Sequence, residues 1–302
     1  MRKVLKWIGI VLGSLLGLVA ILLVGLILYG SLKFKPAHSN RAVYPITADT
    51  SPEGLARGKY LLESATGCAG GCHSGGGQPF AGDVQQIHTG PISAVFAVPN
   101  LTPDLETGLG SWTDAEIARA IREGVDRNGV ELAIMPSSNF HAMSDADVSA
   151  IIGYLRSLAP VKKTIPPLQM NAPGKVLMAL GIFGPRSLGE PISAPQPAPP
   201  LGTAEYGRYE VSIGSCRDCH GQNLAGNTNP NGPPPGPNLT PGGDLASWTE
   251  QDFLTALHTG ATPSGYNLNT NMPWKEYGQM TDDDLKAIFL YLKSLPPVQL
   301  KK

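Results

Sequence analysis

The sequence predicts an all-α protein in which one N-terminal transmembrane helix precedes two tandem helical domains. Three observations favour this architecture: a long apolar run near the N-terminus, an internal repeat, and apolar residues at helical spacing inside each repeat. No segment shows the alternating pattern of a strand. The expected boundaries are an anchor at 1–36, a first domain at 37–160, a linker at 161–201 and a second domain at 202–302.

The N-terminal segment has the length and composition of a membrane-spanning helix. Its apolar run from Trp7 to Tyr29 holds 23 residues, enough to cross roughly 30 Å of hydrocarbon. The alternative, a cleaved signal peptide, has an apolar core of about 7–15 residues and a small-residue cleavage site, and neither is evident. More basic residues precede the run than follow it: Arg2, Lys3 and Lys6 against Lys33 and Lys35. We therefore expect a retained anchor with a cytoplasmic N-terminus.

The rest of the chain is acidic. The formal charge of the whole chain is −1, and it becomes −6 without the five basic residues of segment 1–36, which contains no acid. Such a balance argues against nucleic-acid binding. It is compatible with a basic protein partner and also with ordinary solubility.

The most informative motif is Cys216-Arg217-Asp218-Cys219-His220. The pattern C-x-x-C-H is typical of c-type haem attachment, in which two thiols bond to the porphyrin vinyl groups and the histidine coordinates the iron. A zinc site usually needs four ligands, and a thioredoxin-like redox pair needs a βαβ context. Neither alternative fits as well, so we predict a covalently bound haem c here.

A similar motif, Cys68-Ala69-Gly70-Gly71-Cys72-His73, has three residues between its cysteines instead of two. Glycine tolerates a left-handed φ at little cost, so Gly70 and Gly71 could absorb the additional residue in that way. We predict that both thioethers form. The two motifs contain all four cysteines of the chain, and we expect two covalently bound haem c groups.

The two motifs belong to two copies of one unit. From Met135 onward, corresponding residues lie at a constant offset of 137 positions. The matching patches are Gly54–Tyr60 with Ala204–Tyr209, Pro99–Pro103 with Pro237–Pro241, Ser111–Thr113 with Ser247–Thr249, Met135–Pro136 with Met272–Pro273, Met143–Asp145 with Met280–Asp282, and Ile152–Leu158 with Phe289–Leu295.

Helical signals recur at equivalent positions of the repeats. Thr113 and Glu116 form a capping box, which predicts a helix over 114–123, and Thr249 begins its counterpart. The last helix of each repeat follows Ser144 or Thr281 and carries apolar residues at i, i+3, i+4 and i+7. The linker between the repeats is rich in proline and should be extended. Its apolar middle, 176–183, is expected to pack on the haem domains or to dip into the membrane surface.

The iron of each haem needs a ligand opposite the histidine, or an open site for chemistry. Met135 and Met272 are the favoured candidates because each precedes a proline that stiffens its loop. Met143 and Met280 are equally repeated and remain rival ligands. If each iron is bound by one histidine and one methionine, His73 with Met135 and His220 with Met272, both irons are six-coordinate. Thioether ligation raises the reduction potential, and such irons are expected to transfer electrons.

Residues around the iron ligands can also be proposed from the repeat. The backbone carbonyls of Pro99 and Pro237 could accept a hydrogen bond from Nδ1 of the axial histidines. Trp112 and Trp248 could pack on the porphyrin edge or donate to a propionate, or belong to the core. His141 corresponds to Gly278, which favours a role other than ligation.

On these motifs the chain resembles the cytochrome c superfamily, and it is similar in particular to the haem c subunits of membrane-bound alcohol and gluconate dehydrogenases. The resemblance rests on C-R-D-C-H, P-N-L-T-P, S-W-T, M-P and the final Y-L-[RK]-S-L, over residues 50–160 and 202–298. It implies a class I cytochrome c fold in each repeat and His/Met-ligated haems. Those subunits typically carry three haem domains, whereas this chain has two.

The interpretation is a membrane-anchored dihaem c-type cytochrome, an electron-transfer protein and not itself an enzyme. Its haem domains would lie in the periplasm, on the bacterial inner membrane. Donor and acceptor would be periplasmic proteins, namely a dehydrogenase, a quinol-oxidising complex or a terminal oxidase, and the chain would act as a carrier or as a subunit of such a complex. The alternatives are a dihaem peroxidase-like enzyme and a tethering protein with structural haems.

Overall fold

The structure is a computed structural model that describes residues 2–33, 39–42, 44–89, 92–132, 134–180, 188–227 and 235–299. The described part is mostly helical and forms two compact units. One unit combines the N-terminal helix with a small sheet and a helix of the linker. The other unit contains the helices of both sequence repeats.

The N-terminal helix α1 spans Arg2–Lys33. Its stretch Lys6–Gly30 has a mean hydropathy of 2.9 and is long and apolar enough to cross a membrane. The prediction of a long apolar helix is therefore confirmed.

The first repeat begins with helix α2 at Pro52–Tyr60, which continues directly into a π-helical turn at Leu61–Ala65. A second π-helical turn at Ala69–His73 and a 3₁₀ turn at Gly75–Gly77 follow. The remaining helices are α3 (Asp114–Glu123), α4 (Ser137–Phe140) and α5 (Asp145–Ser157). The predicted capping box at the start of α3 is present, and Ser144 caps α5 as predicted.

The expectation of no strands was wrong for the first repeat. Strands β1 (Asp83–Thr89), β2 (Ile92–Val98) and β3 (Gln169–Met170) form a sheet in the order β1-β2-β3, with β2 antiparallel to β3. The spacing from the motif histidine to the proline whose carbonyl it contacts is 26 residues in this repeat and 17 in the other. Strands β1 and β2 occupy the longer segment, β3 belongs to the linker, and β2 is rich in β-branched and aromatic residues.

The linker contributes helix α6 at Ala172–Ala179, capped by Asn171. Helix α6 packs against α1 in the same compact unit, and Val176 lies beside Gly30. The first part of the linker's apolar middle therefore contacts the N-terminal helix, a partner that the sequence did not indicate. Residues 181–187 of that segment lie outside the described residues.

The second repeat follows the order of the first. Helix α7 (Ala204–Ile213) precedes α8 (Cys216–His220), and a 3₁₀ turn at Asp244–Ala246 leads to α9 (Glu250–Thr259). The last helices are α10 (Trp274–Tyr277) and α11 (Asp282–Ser294). Thr249 and Asp252 form the counterpart of the first capping box.

In each repeat the first and last helices cross at a glycine. A β-carbon at Gly58 would lie 2.0 Å from the carbonyl oxygen of Ala150, and one at Gly207 would lie 1.8 Å from that of Ala287. Only a residue without a side chain permits so close an approach of two helices. The crossing explains why glycine recurs at this repeat position.

The two repeats also exchange a pair of hydrogen bonds. The Tyr60 hydroxyl donates to Asp284 and the Tyr209 hydroxyl donates to Asp147, both at 2.5 Å. The tyrosines are equivalent in the repeats, and so are the aspartates. Each tyrosine therefore binds the first turn of the other repeat's last helix, which joins the repeats by a reciprocal contact within one compact unit.

The end of the linker is an extended strap on the first repeat. Between residues 191 and 200 the backbone forms neither helix nor strand, as the proline content predicts. The backbone N–H of Asp145 donates to the backbone carbonyl of Gln196 at 2.8 Å, and the backbone N–H of Gln196 donates to the Asp145 carboxylate at 3.2 Å. The Glu123 carboxylate accepts the amide of Ile192.

Candidate haem-binding sites

The second C-x-x-C-H motif forms the short helix α8, which ends on a buried histidine. In such a helix Cys216 and Cys219 lie three residues apart, close to one turn, so both thiols face one side. Nδ1 of His220 lies 2.8 Å from the carbonyl oxygen of Pro237. A carbonyl can only accept a hydrogen bond, so Nδ1 carries the proton and the Nε2 lone pair is available to a metal.

A cavity of about 500 Å³ opens beside this helix. Both cysteines, His220 and Met272 line it, and most of its other walls are apolar: Leu239, Leu245, Phe253, Leu257, Leu285, Ile288 and Leu292 among them. Burial in this environment lowers the pKa of His220, which keeps the imidazole in the neutral form that binds metals.

These residues fit a covalently attached haem. The cavity is of the size typical of cofactor sites, and its walls are apolar apart from a few convergent polar groups. Two thiols, one oriented imidazole and one thioether would supply both thioether bonds and both axial ligands. Within the described residues, no group of three or more His, Cys, Asp or Glu side chains is arranged to hold a metal ion by itself.

The thiols of both motifs are held in the neutral form. Burial raises the pKa of Cys68 to about 11 and that of Cys216 to about 12, and partial burial of the thiol group raises the pKa values of Cys72 and Cys219. A thioredoxin-like pair needs a lowered thiol pKa. The environment therefore disfavours the redox-pair alternative.

The first motif accommodates its additional residue by a different helix type. Ala69–His73 is π-helical, with i→i+5 hydrogen bonding in place of the i→i+4 pattern. A π-helical turn holds one residue more, so Cys68 and Cys72, four residues apart, again lie about one turn from each other. Gly70 does not have a left-handed φ, so the proposed explanation from glycine φ does not hold at this residue.

The first motif otherwise repeats the second. His73 is 6% exposed, as His220 is, and its Nδ1 lies 3.0 Å from the carbonyl oxygen of Pro99. The predicted contacts of both prolines with the histidines are thus confirmed. Burial lowers the pKa of His73 also. Cys68 is half-buried, whereas Cys72 is exposed.

The methionines fall into two groups. Met135 and Met272 are half-buried, and the prolines that follow them have nearly the same backbone, φ −79° and ψ 50° at Pro136 and φ −77° and ψ 53° at Pro273. Met143 and Met280 are core residues, 1% and 4% exposed. Met280 also lines the cavity of the second site, so both methionines of this repeat border the same space.

The two repeated tryptophans and His141 lie in different surroundings. Trp248 lines the cavity of the second site, and Trp112 is half-buried against the core. Nδ1 of His141 lies 3.2 Å from the carbonyl of Arg122, and Nε2 lies 3.1 Å from that of Glu190. Both ring nitrogens of His141 thus face backbone carbonyls, in agreement with its exclusion as a ligand.

The asparagine of P-N-L-T-P has a role that the sequence reasoning missed. Nδ2 of Asn100 donates to the carbonyl of Val161 at 2.7 Å, and Nδ2 of Asn238 donates to that of Val298 at 2.7 Å. Each asparagine ties the loop that carries the proline carbonyl to the segment after the last helix. Recurrence of the motif in both repeats was the available signal.

A family model for cytochrome c matches residues 55–159 and 209–296, which is more than half of the chain. The chain therefore belongs to the cytochrome c family, as its motifs predicted. Membership implies covalently bound haem c and electron transfer as the activity.

Similar proteins include the gluconate 2-dehydrogenase cytochrome c subunit of Pantoea cypripedii, 32% identical over 276 residues that cover 79% of this chain and 59% of that protein. A diheme cytochrome c-type of Cereibacter sphaeroides is 28% identical over 257 residues, 76% of this chain and 84% of that protein. The fructose dehydrogenase cytochrome subunit of Gluconobacter japonicus is 28% identical over 272 residues, which cover 83% of this chain and 54% of that protein. The chain spans between half and three fifths of the length of these two dehydrogenase subunits.

Proposed function

We propose that this protein is a membrane-anchored dihaem cytochrome c that transfers electrons at the periplasmic surface of the inner membrane. Its two haem domains are residues 37–160 and 202–302, each a class I cytochrome c domain, joined by the linker 161–201 and preceded by the anchor 1–36. The observation that carries the proposal is the cavity of the second site, where both cysteines, His220 and Met272 meet on apolar walls.

Each residue of the second site has a distinct task in this proposal. Cys216 and Cys219 would hold the cofactor covalently, and His220 and Met272 would supply the ligands of its iron. The Pro237 carbonyl fixes the histidine ring through Nδ1, and the apolar walls exclude water. Bound haem supplies a reversible one-electron couple, and thioether ligation favours its reduced state.

The first site has the same tasks for Cys68, Cys72, His73 and Met135. The π-helical turn presents both thiols despite the additional residue. His73 is oriented by the Pro99 carbonyl in the same way. If Met135 and Met272 each supplied an iron ligand, peroxide would find no open position, and electron transfer would be favoured over a peroxidase.

Anchoring rests on α1, whose apolar stretch of 25 residues exceeds the roughly 20 needed to cross a bilayer. The basic residues before the stretch favour a cytoplasmic N-terminus and a periplasmic body. A dehydrogenase is the partner that relatives support best, since two of them are named as cytochrome subunits of gluconate and fructose dehydrogenases.

The proposal is tested by purifying the full chain from native membranes. We expect two haems per chain, an absorption band of a sulfur–iron(III) bond in the oxidised protein, and a co-purifying dehydrogenase that mass spectrometry identifies. Met272→Ala should remove about half of the sulfur–iron band, whereas Met280→Ala should leave it. A high-spin spectrum with rapid cyanide binding would contradict the electron-transfer proposal and favour the peroxidase-like enzyme.

A further inference from the structure

The helix that follows each Met-Pro pair contacts the haem-attachment turn of the other repeat. Helix α4 of the first repeat packs against α7, which leads into the second attachment turn. Helix α10 of the second repeat packs against the π-helical turn Leu61–Ala65, which leads into the first. The helices are equivalent in the repeats, so the exchange is reciprocal.

The contact of the first repeat with the second attachment turn is made by Asn139, which is 8% exposed. Its Nδ2 donates to the hydroxyl of Ser215 and to the carboxylate of Asp218, both at 2.9 Å. Its backbone carbonyl accepts the hydroxyl of Ser212 at 3.1 Å. One residue of the first repeat thus bonds to the segment before Cys216 and to a residue between the two cysteines.

The turn that Asn139 contacts is conformationally demanding. Ser215 has φ 56° and ψ 22°, a left-handed backbone in a residue other than glycine. Such a conformation is unfavourable for a residue with a side chain and persists where the surroundings hold it. The hydrogen bond from Asn139 to its hydroxyl holds the residue that precedes α8.

The reciprocal contact involves Glu276, the repeat equivalent of Asn139. Its carboxylate lies beside Gly70 in the first motif, where a β-carbon would come within 2.6 Å of Oε1. The next residue, Tyr277, donates its hydroxyl to the carbonyl of Gly214 at 2.6 Å and lies 3.8 Å from a β-carbon position at Gly67. The residues just before Cys68 and just before Cys216 are therefore close to one tyrosine.

We infer that each haem site is completed by the other repeat, and that Asn139 is a positioning residue for the second attachment helix, Cys216–His220. The expected change in haem potential rests on the proposed haem binding. The expected change in the attachment turn rests only on the contacts described above. It predicts that a change in the first repeat alters the second haem.

The experiment, in the full chain, exchanges the amide of Asn139 with the carboxylate of Asp218. Asn139→Asp removes the donor and places two carboxylates together, so hydrogen exchange of Ser215–His220 should accelerate about tenfold or more. One of the two haem potentials should fall, because a looser turn admits water and weakens ligation. Adding Asp218→Asn to the same chain supplies a new amide at position 218 that can donate to the new carboxylate at position 139. Both properties should then return to those of the original protein.

The matched control is Asn128→Asp, the same change at an exposed position of the first repeat, which should alter neither property. The inference is overturned if Asn139→Asp leaves exchange unchanged, if it accelerates exchange equally at Cys68–His73, or if Asp218→Asn fails to restore the original rate. The exchange measurement needs no haem, so an original chain without haem would defeat the proposed function and leave the test of Asn139 intact.

Discussion

The two cysteine–histidine motifs orient their histidines in the same way on different helices. Cys216–His220 is a short α-helix, and Ala69–His73 is a π-helical turn that holds one residue more between its cysteines. In both, the histidine is buried and its Nδ1 faces a proline carbonyl. The comparison indicates that the orientation of the histidine is retained, and that the backbone between the two cysteines can vary.

The repeats differ more where they meet. Arg57 of the first repeat corresponds to Tyr206, and Leu61 corresponds to Glu210. Arg57 donates to Asp147 at 2.8 Å and lies 3.7 Å from the buried Glu210. The second repeat therefore has a buried carboxylate where the first has a leucine, and the interface combines symmetric tyrosine bonds with an asymmetric charge cluster.

The largest expected effect tests where the repeats agree, at the helix crossings. Gly58→Ala and Gly207→Ala should each destabilise the protein by about 3 kcal/mol or more, because the new methyl group would meet a backbone carbonyl. Chemical denaturation measures the loss. Arg208→Ala, beside Gly207 and exposed, is the control. A tolerated alanine at either glycine would contradict the shared crossing.

The second effect tests a difference beside the axial histidines. A β-carbon at Gly236 would lie 2.7 Å from Nδ1 of His220, whereas the first repeat has Val98 at this position. Gly236→Ala should cost about 1–3 kcal/mol and displace the ring from the Pro237 carbonyl. The expected result is a changed potential for one haem in a redox titration. Val98→Ala should leave both potentials unchanged, and the reverse pattern would refute the contact.

The third effect concerns Glu210. Burial, and next the carboxylate of Asp284, raise its pKa from 4.5 to about 7. The folded protein therefore keeps a proton that the unfolded chain releases above about pH 4.5, so the free energy of unfolding falls as pH rises to about 7 and is then constant. The cost at high pH is on the order of 3 kcal/mol.

Glu210→Gln should remove this pH dependence and raise the free energy of unfolding at pH 8 by about 2 kcal/mol, since a buried amide retains some cost. Denaturation midpoints at pH 4.5, 6 and 8 measure it. The exposed Glu205→Gln in the same helix is the control. An unchanged pH profile in Glu210→Gln would show that Glu210 is ionised throughout.

The smallest effect tests the symmetric tyrosine bonds. Tyr60→Phe and Tyr209→Phe each remove one hydroxyl that donates to an aspartate of the other repeat. Each should cost about 1–2 kcal/mol in denaturation experiments. The two variants should lose similar amounts of the free energy of unfolding. No loss in one of them would show that the two tyrosine bonds are not equivalent.

The helices and the haem motifs could be predicted because their determinants are local. Thr113 and Ser144 cap the helices that follow them, and C-x-x-C-H needs only its own residues. The sheet could not be predicted in the same way. Its strand Ile92–Val98 lacks a clear polar alternation, and its partner Gln169–Met170 is distant in the sequence.

Contacts between the repeats could not be predicted from spacing either. The pairing of Asn139 with Asp218 and of Tyr60 with Asp284 depends on how two folded repeats dock. The sequence repeat identified equivalent residues without indicating that they cross between copies. The π-helical turn was also missed, because one additional residue admits several backbone solutions.

The central claim is that both attachment turns, α-helical and π-helical, hold a haem through two thioethers. A pyridine haemochrome spectrum of the full chain, with protein quantified by amino-acid analysis, tests it most directly. The account predicts two haems per chain with the single absorption maximum of doubly linked haem c. One haem per chain, or a shifted band from a haem with one thioether, would contradict it.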